Sequence, residues 1–337
     1  MAQVENVAVL SAEEQIALSQ AGKKKHEASL KRRRIISNVV VYILLAVMSV
    51  VWLLPILWLV LQSFNAEEGT AGLTRLVPQV WGTVNFTDLI TNMVWNNGKY
   101  HESAYIFLFK VDEASGQVYL GSFIYTLIVA ALTSLISTLL VLATSYAFSR
   151  LRFKSRAMMM RVILLLGMFP GFLGLIVLYE MFKMWDMIGN VWTLIIIYSG
   201  GAGMGYYISK GFFDTISKQI DEAAMIDGAT RFQIFYKITL PLAKPIIVYQ
   251  ILTSFMGPWG EYITSSYLLR EIQNGASGSP VTVAPQLNAM LGTNDDLRQY
   301  WGQFCAGAVL VAVPTSILFI ILQRNYVGGV TGGAVKG

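Results

Sequence analysis

The sequence predicts an all-α, polytopic membrane protein with six transmembrane helices and with both termini in the cytoplasm. Composition, the length of the apolar runs and the placement of the basic residues each support this fold class. Of the 337 residues, 55% are hydrophobic and only 13% are charged, and the mean hydropathy is +0.54. Because soluble domains carry about 25% charged residues, this composition excludes an ordinary soluble protein.

Six apolar runs are long enough to cross a membrane as helices, which takes about 20 residues for about 30 Å of hydrocarbon. They cover residues 39–61, 122–148, 158–182, 191–209, 243–269 and 304–322. None alternates as the strands of a membrane barrel do. The first run is too long for the apolar core of a signal peptide, so we interpret it as an uncleaved span kinked at Pro55. Gly167 to Gly174 and Pro241 to Pro245 interrupt the third and fifth runs.

The basic residues orient these spans. With a cytoplasmic N-terminus, all but six of the 25 Lys and Arg residues fall in cytoplasmic segments. The six that fall outside are Arg75, Lys99, Lys110, Lys183, Arg270 and Arg298. This bias predicts that both termini and the loop between the fourth and fifth spans are cytoplasmic.

The spans divide the chain into segments. The N-terminal part consists of a cytoplasmic segment (1–38), a first span (39–62) and an extracytoplasmic loop (63–121). A core transmembrane domain (122–323) then contains a cytoplasmic loop at 210–242 and an extracytoplasmic loop at 271–302, and a cytoplasmic tail (324–337) follows. Both extracytoplasmic loops are long enough to form a docking surface for another protein.

The cytoplasmic loop contains a polar stretch of helical pattern, from Glu222 to Pro241. We expect Asp214 to cap a short first helix whose apolar positions include Ile216 and Ile220. Gly228 is expected to end this helix, because glycine readily adopts the left-handed conformation that helix C-termini often need.

A second short helix is predicted to follow. Thr230 and Gln233 have the spacing of a capping box, and Pro241 is expected to end the helix. Its predicted apolar face contains Phe232, Phe235 and Ile238. Two short helices with a fixed bend make a rigid knob, suited either to docking on a protein or to resting on lipid head groups.

The residues of this knob resemble a known signature. Glu222, Ala223 and Ala224, Gly228 after three further residues, and then Ile238, Leu240 and Pro241 resemble the EAA signature of membrane subunits of binding-protein-dependent ABC importers. The resemblance implies that the knob is the coupling helix and that it sits in a cleft of a separate ATPase subunit. It further implies that Glu222 contacts a basic residue there and that Ala223, Ala224 and Gly228 permit close approach.

A second resemblance narrows the family. The six-span layout, the run from Gly121 to Leu322 and the glycine-rich end after Gln323 and Arg324 are similar to the six-helix second membrane subunit of the maltose/maltodextrin importer. This implies a type I ABC importer permease fold in a bacterial cell membrane. It also implies that the tail residues Thr331, Gly332 and Gly333 reach toward the ATPase. The loop at about Gly275–Gln299 would probe the sugar cleft of a binding protein.

The partners implied by this resemblance are a second permease, two ATPase subunits that hold ATP and Mg²⁺, an extracytoplasmic sugar-binding protein and an oligosaccharide, with maltodextrins first. We expect no cofactor on this chain and no nucleic-acid partner. The sequence contains no GxxxxGK[ST] phosphate loop, no nucleophile elbow and no zincin motif. His26 and His101 match no metal-ligand spacing. The sequence therefore predicts a transport subunit with no catalytic or metal site.

Glu261 is the most informative polar residue within the spans. A carboxylate at membrane depth is costly unless it faces a cavity or a partner, so Glu261, with Trp259 and Tyr262 beside it, is a candidate for the translocation path. The alternative is that Glu261 is hydrated near the outer end of the helix and that the two aromatic residues anchor at the interface. Gly257 and Gly260 favour local unwinding here.

Two other classes of transporter stay open at this point. An ABC importer for a different solute fits the EAA signature equally well. An ion-coupled secondary transporter would need broken helices in paired repeats, and only the fifth run hints at one. A membrane-embedded enzyme would need a cluster of His, Asp or Glu within the runs, and the sequence has none.

Overall fold

The computed structural model describes residues 12–67, 75–96, 99–112, 115–168, 171–201, 203–269 and 280–332. The chain divides into two compact units, Met1–Leu59 and Val60–Gly337. The described residues are largely helical, as the sequence predicts.

The helices are α1 (Ala12–Ser63), α2 (Val84–Thr91), α3 (Ser122–Arg150), α4 (Arg156–Met168), α5 (Gly171–Met184), α6 (Val191–Gly200), α7 (Gly203–Thr215), α8 (Lys218–Ile226), α9 (Arg231–Gln233), α10 (Leu240–Leu242), α11 (Lys244–Gly260), α12 (Ile263–Leu268), α13 (Val283–Ala289) and α14 (Asn294–Gly332). A π-helical segment, Ile234–Thr239, joins α9 to α10.

The first unit consists of most of α1. Its apolar part belongs to the stretch Arg33–Ser63, which contains Pro55. The large apolar side chains from Val39 to Leu57 are exposed in the isolated chain. Such an all-round apolar surface is typical of a helix that lies in lipid or against other spans.

Two further helical stretches in the second unit are long and apolar enough to cross a membrane, Ser122–Arg150 and Leu297–Arg324. Three more stretches are pairs of helices with a bend between them. With Arg33–Ser63, the described residues therefore contain three uninterrupted candidate spans, or up to six if each bent pair is one span.

Two of the bends fall inside predicted runs. The third run is α4 followed by most of α5 (Leu173–Met184) at an angle of 101°, and it bends where the sequence predicts an interruption, between Gly167 and Gly174. The fourth run is α6 followed by most of α7 (Gly205–Thr215) at 43°, which corrects the prediction of an uninterrupted run. Glycines flank both breaks, at Gly167 and Gly171 in the third run and at Gly200 and Gly205 in the fourth. Glycine weakens a helix by about 1 kcal/mol relative to alanine, so the chain bends most easily there.

The fifth run (243–269) begins at one break, and a second break lies within it. An angle of 80° separates Arg231–Leu242 from α11, with Ala243 at the bend. At the other end, α11 stops at Gly260, and two non-helical residues, Glu261 and Tyr262, precede α12. The second break agrees with the unwinding that the local glycines predict.

Helix α3 lies at the centre of the second unit and packs against α6, α7 and α11. Small polar side chains join it to its neighbours. The hydroxyl of Ser134 donates to the carbonyl oxygen of Ile251 at 3.1 Å, and the buried amide of Gln250 donates to the hydroxyl of Ser137 at 3.3 Å. Small hydroxylic residues allow close approach of helices and satisfy one another away from water.

The first long loop departs from the all-α prediction, because residues 63–121 contain two β-hairpins. Strand β1 (Met93–Asn96) pairs antiparallel with β2 (Lys99–Glu102), with Met93 opposite Glu102. Strand β3 (Phe109–Val111) pairs antiparallel with β4 (Val118–Leu120), with Phe109 opposite Leu120. The signal for the first hairpin is in the sequence, since Asn97-Gly98 is a strong two-residue hairpin turn.

Helix α13 forms within the segment 271–302 that the sequence predicts as a loop, and residues 270–279 of that segment lie outside the described ranges. We name helix α2, the two hairpins and α13 together the loop cap. Helix α2, the first hairpin, α13 and Phe107, which precedes the second hairpin, contribute to one apolar core. Its buried members from the two loops include Leu89, Val94, Phe107, Val283 and Met290. The backbone N–H of Val283 also donates to the hydroxyl of Thr126 on α3 at 2.8 Å.

Candidate functional site

The first helix of the EAA loop (residues 210–242) is α8, and its cap differs from the prediction. The hydroxyl of Ser217 accepts a hydrogen bond from the backbone N–H of Gln219 at 3.3 Å. Asp214 is not the cap, because α7 continues through it to Thr215. Its carboxylate instead accepts a hydrogen bond from Ser149 at 2.6 Å and pairs with Lys210.

The end of α8 is as predicted. Gly228 has a φ of +82°, in the left-handed region. Its N–H donates to the carbonyl oxygen of Met225 at 3.1 Å, and the next N–H, of Ala229, donates to that of Ala224 at 2.9 Å. These bonds satisfy carbonyl groups at the end of the helix and fix the bend between the two arms of the knob.

The predicted capping box is also confirmed. The hydroxyl of Thr230 accepts a hydrogen bond from the N–H of Gln233 at 3.3 Å, and the amide oxygen of Gln233 accepts one from the N–H of Thr230 at 2.8 Å. Two otherwise unpaired backbone donors are thereby satisfied, and the second arm has a defined start at Arg231.

The second arm does not keep the predicted regular face. Residues 234–239 form a π-helix, in which hydrogen bonds span five residues and each turn is wider. Ile234 and Thr239 are therefore the fully buried positions, and the predicted face residue Phe232 is 74% exposed. Sequence spacing of three and four residues assumes a regular α-helix, so it assigned the wrong side chain to the core.

Pro241 does not end the second arm, which continues to Leu242 and bends at Ala243. Proline lacks an N–H and its ring clashes with the carbonyl of the residue four before it in a regular helix. The wider π turn comes immediately before Pro241, in a position where it relieves that clash.

The inner side of the knob packs on α3. The ring of Tyr146 lies 4.6 Å from the ring of Phe235 and 6.1 Å from that of Phe213. The surrounding apolar cluster includes Leu142, Ala243 and Ile246, with Leu240 packed against it. This packing makes the knob a rigid extension of the helical bundle.

The residues of the EAA signature divide between two sides of the knob. Glu222, Ala223, Gly228 and Pro241 are exposed, and Ala224 is buried. Ile238 and Leu240 are partly buried. Ala224 therefore packs within this chain, and its expected role in the close approach of a partner stays a prediction.

The exposed residues of the knob include large apolar side chains as well as charged ones, and we name Glu222, Ile226, Phe232 and Tyr236 together the EAA face. Glu222 has no ion-pair partner among the residues that the structure describes. The exposed fraction is 86% for Ile226, 74% for Phe232 and 64% for Tyr236. Exposed apolar groups of this size around a charge are typical of a surface that another protein covers.

Glu261 occupies the break in the fifth run and is partly buried. One carboxylate oxygen accepts hydrogen bonds from the hydroxyl of Tyr198 at 2.8 Å and from the N–H of Ser265 at 3.1 Å. The other accepts one from the N–H of Thr264 at 3.0 Å. The carboxylate thus ties α12 to α6 and satisfies the first N–H groups of α12.

The two aromatic neighbours of Glu261 are placed differently. Trp259 is only 4% exposed and lies 5.2 Å from the ring of Phe123 in the core beneath the loop cap. Tyr262 is 45% exposed. In this conformation Tyr262 is accessible to a solute and Trp259 is a packing residue.

The remaining predicted positions lie at the end of the chain. Thr331 and Gly332 are the last residues of α14, and Gly333 lies outside the described residues. Among the described residues, no group of three or more His, Cys, Asp or Glu side chains is arranged to hold a metal ion.

Comparison with known proteins identifies the family of this chain. The family described as "Binding-protein-dependent transport system inner membrane component" matches residues 139–330, which include the whole EAA loop. The galactooligosaccharide transport system permease GanQ of Bacillus subtilis is 34% identical over 92% of this chain and 99% of its own length. The maltodextrin transport system permease MalD of Streptococcus pneumoniae is 33% identical over the same shares of the two chains.

Two further comparisons cover the core. The maltose/maltodextrin permease MalG of Vibrio vulnificus is 37% identical over 62% of this chain and 70% of its own length. A chain from the crystal structure of a bacterial ABC transporter that imports the acidic polysaccharide alginate has a TM-score of 0.64, with 20% identity, and covers 86% of this chain and 96% of its own. The fold is therefore that of an ABC importer permease, and the chain belongs to the family of inner-membrane components of binding-protein-dependent transport systems.

Proposed function

We propose that this chain is one of the two permease subunits of an ATP-driven importer of oligosaccharides, in which it forms half of the translocation path. The family supports the importer assignment. Relatives that align over nearly all of this chain are named as permeases for galactooligosaccharides and for maltodextrins. A neutral oligosaccharide of maltodextrin type is the substrate that we place first, and a galactooligosaccharide the second.

The observation that carries the coupling part of the proposal is the EAA face. A knob seated firmly on α3 presents Glu222 together with Ile226, Phe232 and Tyr236 to its surroundings. Such a surface suits a cleft in a separate ATPase subunit, with a basic residue opposite Glu222. In the topology that we propose, six spans place both termini and the EAA loop in the cytoplasm, where ATP and Mg²⁺ are held by the ATPase.

The opposite end of the bundle supports a docking role for the loop cap. Several of its large side chains are exposed, including Tyr100, Phe109 and Val118. We assign this surface to an extracytoplasmic sugar-binding protein, which delivers the oligosaccharide to the path near Glu261 and Tyr262. The C-terminal residues from Thr331 onward would then lie on the ATPase side.

The mechanism is alternating access driven by the partner. When ATP binds, the two ATPase subunits close on each other. Each subunit then moves the knob bound in its cleft as a rigid body. The bundle then opens toward the docked binding protein, and hydrolysis resets it. A ligand shifts such an equilibrium only through contacts that differ between the two states, and the EAA face is the contact that ATP binding moves.

One structural feature favours a second candidate function. Broken helices near the membrane midplane are common in ion-coupled secondary transporters, and the fifth run is broken at Glu261. That reading requires uptake to follow an ion gradient without ATP. An ABC importer of a different solute is the nearer alternative, because the EAA face does not select the cargo.

Co-purification tests the proposal. The full chain is tagged, extracted in mild detergent and analysed for bound subunits, and the complex is then reconstituted with an extracytoplasmic sugar-binding protein from the same organism. We expect a second permease and an ATPase, with hydrolysis stimulated by the binding protein and by maltodextrins, or by galactooligosaccharides, but not by monosaccharides. Recovery of this chain alone, with uptake driven by an ion gradient, would overturn the proposal.

A further inference from the structure

A buried side chain at the end of α3 contacts the EAA loop, in addition to the packing of Tyr146 on Phe235 and the hydrogen bond from Ser149 to Asp214. Arg150 is the last residue of α3, and its side chain is only 4% exposed. Its Nε lies 3.1 Å from a carboxylate oxygen of Asp221, which precedes Glu222 on α8. Sequence analysis did not single out either residue, because a lone arginine after an apolar run is also explained by the orientation of the loops.

The same guanidinium group also holds the end of α7. One terminal nitrogen of Arg150 donates to the carbonyl oxygen of Phe213 at 3.0 Å and to that of Ile216 at 2.7 Å. These carbonyls lie in the last turn of α7 and just after it, so they are among the acceptors that a helix leaves unpaired. A single planar cation therefore binds three elements at once, α3, α7 and α8.

The position of Asp221 on α8 matters for the direction of the link. Asp221 is buried against Arg150, while the next residue, Glu222, is on the EAA face. Successive residues of a helix point about 100° apart, so Asp221 and Glu222 lie on different sides of α8. A force on the EAA face is therefore resisted by the contact of Asp221 with Arg150. The ion pair thus lies between the proposed ATPase contact and α3.

The pair is poorly explained as a source of stability alone. Within the described part of the chain, the Nε and one terminal nitrogen of Arg150 and the second carboxylate oxygen of Asp221 are buried without a hydrogen-bond partner. The contact of Nε with Asp221 is therefore an ion pair without a hydrogen bond. Burying charges costs free energy that an incompletely hydrogen-bonded pair does not fully recover, and apolar replacements are often neutral or stabilising. We therefore assign the pair the role of fixing the orientation of α8 relative to α3.

We infer that Arg150 and Asp221 are positioning residues that transmit the movement of the EAA loop to α3. The inference rests on the proposed function, since it requires an ATPase that moves the loop. Helix α3 packs against α6, α7 and α11, so a displacement at its end reaches most of the bundle. Without the pair, the ATPase still docks and hydrolyses ATP, but the loop moves partly independently of α3.

The first test measures the number of sugar molecules imported per ATP hydrolysed by the reconstituted complex. Asp221→Asn preserves shape and removes the ion pair, and Arg150→Met removes both the pair and the two carbonyl contacts. We expect the complex to assemble normally and the ratio to fall by about tenfold, within the usual range of coupling between two sites. The double variant is expected to be no worse than Arg150→Met, because residues that act as one unit are not additive.

Lys210→Met is the matched control. Lys210 forms an ion pair with Asp214 within the single helix α7, and no ion pair joins it to α8 among the residues that the structure describes. We expect this variant to keep the wild-type ratio. Wild-type ratios in assembled Asp221→Asn and Arg150→Met complexes would overturn the inference. A wild-type complex without ATP-driven uptake would instead overturn the proposed function, so the two failures are distinguishable.

A distance measurement tests the same inference without transport. Spin labels at Arg152→Cys and Gln219→Cys, in a chain with Cys305→Ala, report the separation between the end of α3 and α8; both label sites are exposed. We expect this distance to stay constant between the nucleotide-free and ATP-bound complexes. In the Asp221→Asn background it is expected to broaden or change with ATP. A distance that changes equally in both backgrounds would overturn the inference.

Discussion

The hydroxyl of Tyr105 donates a hydrogen bond of 3.1 Å to the carbonyl oxygen of Ala289, which lies 184 residues later in the chain. The ring of Tyr105 also packs edge-on against that of Tyr300 at 5.1 Å. These contacts join the first long loop to α13 and the start of α14. Two segments that the sequence predicts as separate loops therefore form one rigid surface.

Tyr105→Phe tests whether this bond holds the loop cap together. The change removes one partly buried hydrogen bond, while the Ala289 carbonyl still accepts one from the N–H of Gly292 at 3.1 Å. We therefore expect a loss of about 1 kcal/mol of stability. Thermal unfolding of the purified chain in detergent measures it. Tyr119→Phe is the control, because its hydroxyl bonds only to the nearby exposed Gln117. Equal melting temperatures for the two variants would show that the bond contributes nothing.

Gly121→Ala is expected to displace the loop cap from α3. A Cβ atom at this position would lie 2.3 Å from the backbone carbon and oxygen of Phe107, and neither atom belongs to a flexible side chain. Because Phe107 is fully buried in the cap core, the backbone shift would also disturb that core, at a cost of about 1–3 kcal/mol.

Limited proteolysis of the cap and stimulation of ATPase activity by the binding protein measure the effect of Gly121→Ala. We expect faster cleavage and weaker stimulation. Gly211→Ala is the control, since a Cβ there meets nothing within 4 Å. An intact cap in Gly121→Ala would contradict the close packing of Gly121 on Phe107.

From the buried Asp88 carboxyl we predict that the stability of the folded chain depends on pH. Burial raises the pKa of the Asp88 carboxyl above its ordinary value, so the folded chain holds this proton at a pH where the unfolded chain has released it. The contribution of Asp88 to stability is therefore lost as the pH rises from the ordinary aspartate pKa through the raised one. Asp88→Asn avoids this loss.

Melting temperatures of the wild-type chain and Asp88→Asn, measured between pH 3.5 and 8, check this sign (about 3.9 being the ordinary aspartate pKa). We expect the variant to melt a few degrees higher at neutral pH and the difference to disappear at the acidic end. A difference that is independent of pH would show that the effect comes from the amide itself.

Phe232→Ala is expected to weaken the binding of the ATPase without destabilising this chain. Its ring is 74% exposed, so the stability of the isolated chain should change by less than about 0.5 kcal/mol. Loss of an aromatic anchor from an interface commonly costs about 2 kcal/mol or more, so recovery of the ATPase with the tagged chain should fall sharply.

Ile234→Ala provides the comparison, because Ile234 is two residues away and only 1% exposed. We expect it to destabilise the chain itself by about 2–5 kcal/mol. If Phe232→Ala destabilised the chain and left ATPase recovery unchanged, the assignment of the EAA face would be wrong.

The parts of the knob that the sequence predicts are those set by local chemistry. The left-handed Gly228 and the reciprocal bonds of Thr230 and Gln233 depend only on residues close in sequence, and both are present. The cap at Asp214 and the stop at Pro241 failed because the preceding helix ran longer and a π turn intervened. Helix length and π turns depend on packing against α3, which one sequence does not reveal.

The loop cap illustrates the other limit of the sequence. Asn97-Gly98 is a turn signal that predicts the first hairpin, whereas the pairing of Tyr105 with Ala289 is a contact between distant segments. Sequence periodicity locates apolar runs, but it carries no information about contacts between distant segments. For the same reason it predicted α6 with α7 as one unbroken run, whereas the bend between α4 and α5 lies within the interruption predicted at Gly167 to Gly174.

Glu222→Lys tests the central claim most directly, that the EAA face couples this permease to an ATPase. The measurement is ATP-dependent oligosaccharide uptake by proteoliposomes that contain equal amounts of wild-type or variant complex. Lys154→Glu, which reverses an exposed charge outside the EAA loop, is the control. We predict that Glu222→Lys inserts in the membrane normally and loses uptake, while the control keeps it. Uptake at the wild-type rate by Glu222→Lys would contradict the account.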